Sequence, residues 1–289
     1  MKKKYFVFLL FTLSLSAQIK GVVKDSITGK PISFVNIWVE NESIGTTSEE
    51  NGAFELNTSK EKKLLFSIIG YYQKKSILNS NGEVFLSHRN IELENVQIIK
   101  LKETKITKIG NSVFKRVKHL QGKFPQILAK KFNYDTIYKV TPYLKQIEVF
   151  TQSDIKEAKF KLRIYNYDLD IELPSEDLVE EDIITSVKKG RNKTIIDVSK
   201  YKIKFPKNGL VIGLESMIIE SNKYIYSYRY KGIDNNPTMY APAIICNKVD
   251  EENSFMFLNL KWFKRKPNYD EVEEKDSTLE PAINLILTN

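Results

Sequence analysis

The chain has few of the residues on which catalysis and cross-linking usually depend. Cys246 is its only cysteine, and His88 and His119 are its only histidines, in 289 residues. A lone thiol excludes an internal disulfide, and its apolar setting, APAIICNK, suits a small packed side chain. Neither histidine has an H-x-x-E or H-E-x-x-H neighbourhood, so the ligand set of a zinc peptidase is missing. There is no G-x-S-x-G elbow and no phosphate-cradling glycine loop. Acid pairs such as Glu180 with Glu181, or Glu273 with Glu274, point to opposite faces in a strand and are solvated in a loop. The segments Glu49 to Asn51 and Asp234 to Asn236 carry oxygen donors without EF-hand spacing, and both suffice as turns. The expectation is a protein with no catalytic residue, no metal site and no cofactor.

Long apolar runs are equally scarce. The first, YFVFLLFTLSLSA, follows Lys2, Lys3 and Lys4 and ends at Ser16-Ala17 before Gln18. It is shorter than the roughly 20 residues that a spanning helix needs, and reads as a signal peptide over residues 1–17. It contains no cysteine for a lipid anchor. No later segment is long and apolar enough to cross a bilayer as a helix, so any contact with the outer membrane is expected to be peripheral. The chain is thus expected to be exported, to the periplasm or the cell surface.

Charge is present and uneven. There are 45 basic against 36 acidic residues, a formal net charge of +9. Lys100 to Lys131 carries ten Lys or Arg and one acid, Glu103, while SEDLVEED and YDEVEEKD are acidic. In an exported chain a basic stretch suits anionic lipid headgroups, glycans or a protein partner better than nucleic acid, and a plain solvated face is the simplest reading.

Strand signals dominate the rest. In FVNIWVE, Val35, Ile37 and Val39 alternate with Asn36 and Glu40, which predicts one core face and one wet face. KLLFSIIG reads as a strand buried on both faces. Turns fall at Thr28-Gly29, Asn51-Gly52 and Asn81-Gly82. Six or seven strands before about Leu93, with turns every 8 to 12 residues, predict a small antiparallel sandwich over residues 18–99.

The second region, residues 100–289, opens with a basic lead-in of short strands and one helical turn. AKFKLRIY then sends Ala158, Phe160, Leu162 and Ile164 one way and Lys159, Lys161, Arg163 and Tyr165 the other, predicting one buried and one wet face. ITSVKKGRNKTIIDV reads as a hairpin at Lys189-Gly190, KFPKNGLVIGLESMII as a reversal at Asn208-Gly209, and PAINLILTN as a closing strand. Together these predict a larger, jelly-roll-like β-sandwich, and an all-β chain.

The motifs G-x-V, T-G-x-P-I, F-V-N-I, S-I-G-T, N-G-x-F-x-L and F-S-I-I-G-Y in residues 19 to 99 resemble the carboxypeptidase-regulatory-like domain. This is a transthyretin-like β-sandwich common in envelope proteins of Bacteroidetes. The resemblance implies an accessory module rather than a catalytic one. In relatives it often precedes the plug and barrel of outer-membrane transporters, for which fewer than 200 residues remain here. FKLRIYNYD, IIDVSKYKIKFPKNGLVIGLE and PAINLIL resemble an uncharacterised sandwich domain that accompanies it and brings no known active site. Asp25-Ser26-Ile27 and Asp135-Thr136-Ile137 resemble a Bacteroidetes O-glycosylation acceptor.

One stretch suggests a ligand surface. YIYSYRY places Tyr224, Tyr226, Tyr228 and Tyr230 at a period of two, so a single strand would set all four rings on one face. With Trp262 they are the candidate glycan- or peptide-binding residues, against the simpler reading that they cap the core with hydroxyls at the rim. The expected function is non-enzymatic binding of an envelope protein or glycan. The alternatives are an accessory role in an outer-membrane transport or adhesion system, or a glycan hydrolase on the second sandwich.

Overall fold

The computed structural model describes residues 18–59, 61–89, 101–110, 112, 117–250, 253–266, 268–270 and 275–289. The expected signal peptide and the Glu273-Glu274 pair lie outside them. Among the described residues the regular structure is strand, with three short 3-10 turns and no α-helix.

The N-terminal domain contains β1 (Gln18–Asp25), β2 (Asn36–Val39), β3 (Gly45–Thr47), β4 (Ala53–Asn57), β5 (Lys63–Ser67), β6 (Lys74–Ile77) and β7 (Glu83–Leu86). Two sheets, ordered β4-β1-β7 and β3-β2-β5-β6, face each other across Val23, Ile37, Phe54, Leu64, Phe66 and Leu86. The tightest turn follows from the Asn51-Gly52 pair. Gly52 has φ +76, its N–H bonds Glu49 O at 2.9 Å, and a Cβ there would stand 2.8 Å from Val23 O. Only glycine meets both demands, and the reversal lays Phe54 and Leu56 onto the core. The sandwich is not wholly antiparallel, because β7 runs parallel to β1. It arrives from β6 in the opposite sheet, and a strand that crosses between layers is free of the antiparallel direction a tight hairpin imposes.

The second domain begins with β8 (Ile106–Ile109), β9 (Lys118–Gln121), β10 (Ile127–Phe132), β11 (Tyr143–Ser153), β12 (Ala158–Asp168), β13 (Leu173–Asp177), β14 (Ile183–Val187), β15 (Gly190–Asp197) and β16 (Leu210–Ser216). It continues through β17 (Lys223–Ile225), β18 (Tyr228–Tyr230), β19 (Ile233–Asn235), β20 (Thr238–Val249), β21 (Ser254–Leu258), β22 (Lys261–Lys264), β23 (Asn268–Asp270), β24 (Lys275–Pro281) and β25 (Ile283–Thr288). One sheet follows β13-β12-β16-β10-β21-β22, with β14 on β12. The other follows β23-β24-β20-β11-β25-β8, with β15 on β11 and β9 and β17 on β20. Phe160, Leu162, Ile212 and Leu214 from the first meet Ile147, Val149, Ile244 and Leu285 from the second in one core. Cys246 is buried there, and burial pushes its thiol up to about 12.

The chain switches layers repeatedly, as in a jelly roll, and one switch replaces an expected hairpin. At Lys189-Gly190 the strands do not pair with each other: β14 joins β12 and β15 joins β11. A hairpin would have left edges of both long strands without partners. Gly190, at φ +93, turns the sandwich corner instead.

Both predicted wet faces are covered. On β12, Lys161 is 0% exposed and Tyr165 5%, and on β2, Trp38 is 3% exposed. These faces pack toward each other across the domain junction. Trp38 meets Phe124 with ring centroids 6.3 Å apart, and Phe34 clusters with Met217 and Ile219. Thr47 N–H bonds Ile218 O at 3.3 Å, Ile218 N–H returns a bond to Thr47 Oγ1 at 3.0 Å, and Glu220 N–H bonds Glu49 Oε1 at 2.8 Å. Polar–apolar alternation reports two environments, and the second was another domain rather than water.

Candidate functional site

The junction encloses a cluster of charges. Lys161 Nζ donates to Phe34 O at 2.7 Å and lies 2.8 Å from Asp182 Oδ2 and 3.9 Å from Glu215 Oε1. Arg163 donates through Nη2 to Asp177 Oδ2 at 2.7 Å and through Nη1 to Asp182 Oδ1 at 3.3 Å. Its Nε stands 3.5 Å from Glu215 Oε2. Asn36 Nδ2, from the N-terminal domain, donates to Glu215 Oε1. Three carboxylates thus share two cations. Burial is the largest influence on Asp177, raising it to about 6, with Arg163 opposing and Glu215 and Asp182 adding.

A pH dependence follows. The folded value of Asp177 lies above its ordinary 3.8, so its contribution to stability is full below about pH 4 and is lost as pH rises through about 6. Glu148 acts in another window. Burial works against its charge, but hydrogen bonds from Asn284, Lys108 and Lys193 hold it down at about 2, against an ordinary 4.5. Its contribution is present above about 4.5 and lost as pH falls toward 2. Asp177→Asn should therefore change the slope of melting temperature between pH 4 and 6 and leave the slope below pH 4 alone, as read by scanning fluorimetry. An unaltered slope between pH 4 and 6 would exclude Asp177 as the titrating group.

The histidines are engaged structurally. His88 Nε2 lies 2.6 Å from Asp25 Oδ2, its ring rests on Tyr71 at 4.4 Å, and Tyr71 Oη donates to the same oxygen at 3.0 Å. Asp25 also accepts from the N–H groups of Ile27 and Thr28, which closes the turn after β1. His119 contacts Gln126 at 3.1 Å; burial, aided by Arg265, holds its ring down at about 4. Among the described residues no group of three or more His, Cys, Asp or Glu is placed to hold a metal ion.

Beside the charge cluster lies a cleft of about 1140 Å³ between the domains, lined by Lys20, Phe54, Glu55, Ile219, Lys223 and Tyr240 among others. It is bordered by β4, an edge strand of the smaller sheet of the N-terminal domain. Sequence alone does not reveal it, because its walls join residues 18–82, Lys123 and residues 218–240, which meet only in the fold.

The four tyrosines occupy no single strand. β17 pairs with β20 and stops at Ile225, and Tyr226 N–H bonds Pro237 O at 3.0 Å. β18 then pairs with β19 in a separate two-stranded sheet. The rings nevertheless form a ladder leaving the core. Tyr224 packs against the sandwich interior, where burial raises its hydroxyl to about 12. Tyr226 stands 6.5 Å from it at 79°, and Tyr228 stands 5.7 Å from Tyr226 at 35°. Lys118 Nζ lies 5.7 Å from the centre of the Tyr226 ring. Tyr230 is outermost, beneath Lys231 at 5.4 Å. Alternation along β17 places Tyr224 on the core side and Lys223 on the cleft side, so ladder and cleft flank opposite faces of that strand. Trp262 stands apart: it sits on β22, against Tyr165 and Phe257 at 5.2 Å each. It shares the tyrosines' aromatic character, but the β21–β22 hairpin carries it to the other sheet.

No curated protein matches the chain in sequence. Among solved structures, the cysteine protease and lectin-like domains of Cwp84, a surface layer associated protein of Clostridium difficile, superpose with a TM-score of 0.35 and 11% identity. That match covers 89% of this chain and 58% of the other, so the chain spans less than two thirds of the neighbour's length. Residues 19–103 match the family model of the CarboxypepD_reg-like domain, and the N-terminal sandwich, with its glycine-driven turn at Asn51-Gly52 and its seven strands among the described residues, is a domain of that family.

Proposed function

We propose that the chain is an exported, non-enzymatic binding protein of the bacterial cell envelope, and that the outer part of its tyrosine ladder is a glycan-binding surface. The observation that supports this reading is the Tyr226–Tyr228 pair, whose tilted rings stand 5.7 Å apart with Tyr228 45% exposed. Flat apolar rings stack on sugar C–H surfaces while their hydroxyls exchange hydrogen bonds with sugar hydroxyls. Tyr224, anchored in the core, fixes the inner end of the ladder.

The non-enzymatic part is supported by where the reactive groups sit. The thiol is buried, both histidines are engaged, and Asp177, Asp182 and Glu215 face Lys161 and Arg163 inside the domain junction. A glycan hydrolase would need two carboxylates facing each other across an open site.

A carbohydrate array provides the test. Tyr226→Ala and Tyr228→Ala should each lose about tenfold in affinity for a glycan the parent retains, about 1.4 kcal/mol per ring. Binding that ignores both substitutions would clear the ladder of this role. A second reading, an accessory of an outer-membrane transport or adhesion system that docks through the N-terminal sandwich, is favoured by Tyr72, Ile77 and Phe85. These are 54%, 55% and 39% exposed. Co-purification of a barrel protein from detergent extracts would support it.

A further inference from the structure

Beyond the ladder, the chain between β17 and β20 leaves the sandwich altogether. β18 and β19 form their own two-stranded sheet, with Tyr228 opposite Asn235, Arg229 opposite Asp234 and Tyr230 opposite Ile233. The connection is the two-residue turn Lys231-Gly232, with φ +48 and +81, as a tight hairpin requires. A Cβ on Gly232 would meet nothing within 4 Å, so the tip stands in open space. Opposite residues share a face, which sorts the hairpin: Tyr228, Tyr230 and Ile233 lie on one side, and the Arg229–Asp234 ion pair, at 3.6 Å, on the other. Ile225, Tyr228, Tyr230 and Ile233 are 58%, 45%, 61% and 67% exposed.

An isolated two-stranded hairpin is marginal in water, and this one keeps its largest apolar side chains uncovered. We infer that the β18–β19 hairpin is a membrane-docking element whose Tyr230–Ile233 tip enters the interfacial layer of an anionic lipid surface. Three features select lipid. Isoleucine offers no flat face to a sugar, yet partitions readily into acyl chains. Tyrosine concentrates where an apolar body and a polar hydroxyl meet different media, as at headgroup depth. Of the cations nearby, Arg229 faces Asp234 and Lys223 faces Glu220, which leaves Lys231, at the tip itself, to meet anionic headgroups. Lys231 reaches back over the Tyr230 ring, so one side chain supplies the charge at the depth where the ring is wetted. This inference rests on the tip residues Tyr230 and Ile233, and it shares only Tyr228 with the glycan reading, which rests on the Tyr226–Tyr228 pair.

The test is flotation of the full protein with vesicles. The parent should float with phosphatidylglycerol-rich vesicles, weaken as salt rises, and float poorly with phosphatidylcholine vesicles. Tyr230→Ser with Ile233→Ser should reduce flotation at least tenfold, and Lys231→Glu should reduce it on the anionic vesicles. Because the hairpin lies outside both sandwich sheets, the melting temperature should be unchanged, which separates lost docking from lost folding. In a Tyr230→Trp variant, vesicles should shift the emission to the blue and brominated lipid should quench it. A parent that stays with the unbound fraction on both vesicle types, or a double variant that floats like the parent, would overturn the inference. So would hairpin variants that lose glycan or protein retention while no form of the protein binds vesicles. A Tyr226→Ala protein that floats normally but loses glycan would leave docking intact and tell the two readings apart.

Discussion

Lys161→Ala is expected to destabilise the fold by about 3–5 kcal/mol, the usual result of removing one partner from a buried charge group. The lysine is fully buried, yet its ammonium touches Phe34 O and Asp182 and lies near Glu215. Without it, Arg163 alone faces three carboxylates, and Phe34 O loses its buried donor. Protonation of Asp177, whose carboxyl is raised to about 6, would recover part of the loss, so the defect should be larger at pH 7.5 than at pH 5. In a chain of this length the melting temperature should fall on the order of 10 °C. Lys161→Met keeps most of the volume and should fare little better, since charge rather than space is missing. Combining it with Glu215→Gln should restore part of the stability. Denaturation curves measured at both pH values decide the matter. A cost below about 1 kcal/mol at pH 7.5 would mean that water already reaches the cluster and that it contributes as a surface pair does.

This cluster also marks where the sequence stopped being readable. Strand positions were legible because period-two alternation and glycine turns are local: Asn51-Gly52, Asn208-Gly209 and the apolar KLLF all appear as the residues suggest. What lay against each face was not. Lys161 and Arg163 occupy the polar phase of a perfect alternation, and nothing nearby distinguishes a lysine facing water from one facing a second domain. Pairing across distance was equally hidden, since the turn at Lys189-Gly190 has the composition of a hairpin and serves as a layer crossing. The tyrosines show a third limit. A period of two was present through Tyr230, but the chain leaves β20 after Ile225, so the four rings climb outward instead of sharing a sheet. The exposed Ile233, which gives that hairpin tip its character, had no periodic signal at all.

The domain junction leads to the second large effect. Phe66→Ala should cost about 3–5 kcal/mol, as expected for emptying a fully buried phenylalanine site, because Phe66 is 0% exposed and packs edge-on against Phe54 at 5.8 Å. Its place is the core of the N-terminal domain, away from the junction, so a protein of two independent sandwiches would respond by melting that domain alone. The junction argues otherwise. Unfolding the N-terminal domain would strip Phe34 O and Asn36 from the charge cluster and bare Trp38, Phe124, Met217 and Ile219 to water, while the Thr47–Ile218 hydrogen bonds would be lost from both sides. The second domain cannot keep Lys161 desolvated without that cover. Calorimetry of Phe66→Ala should therefore show one endotherm moved downward as a whole. An early endotherm with the heat of one small domain, followed by a second at the parent's temperature, would show that the two sandwiches fold separately.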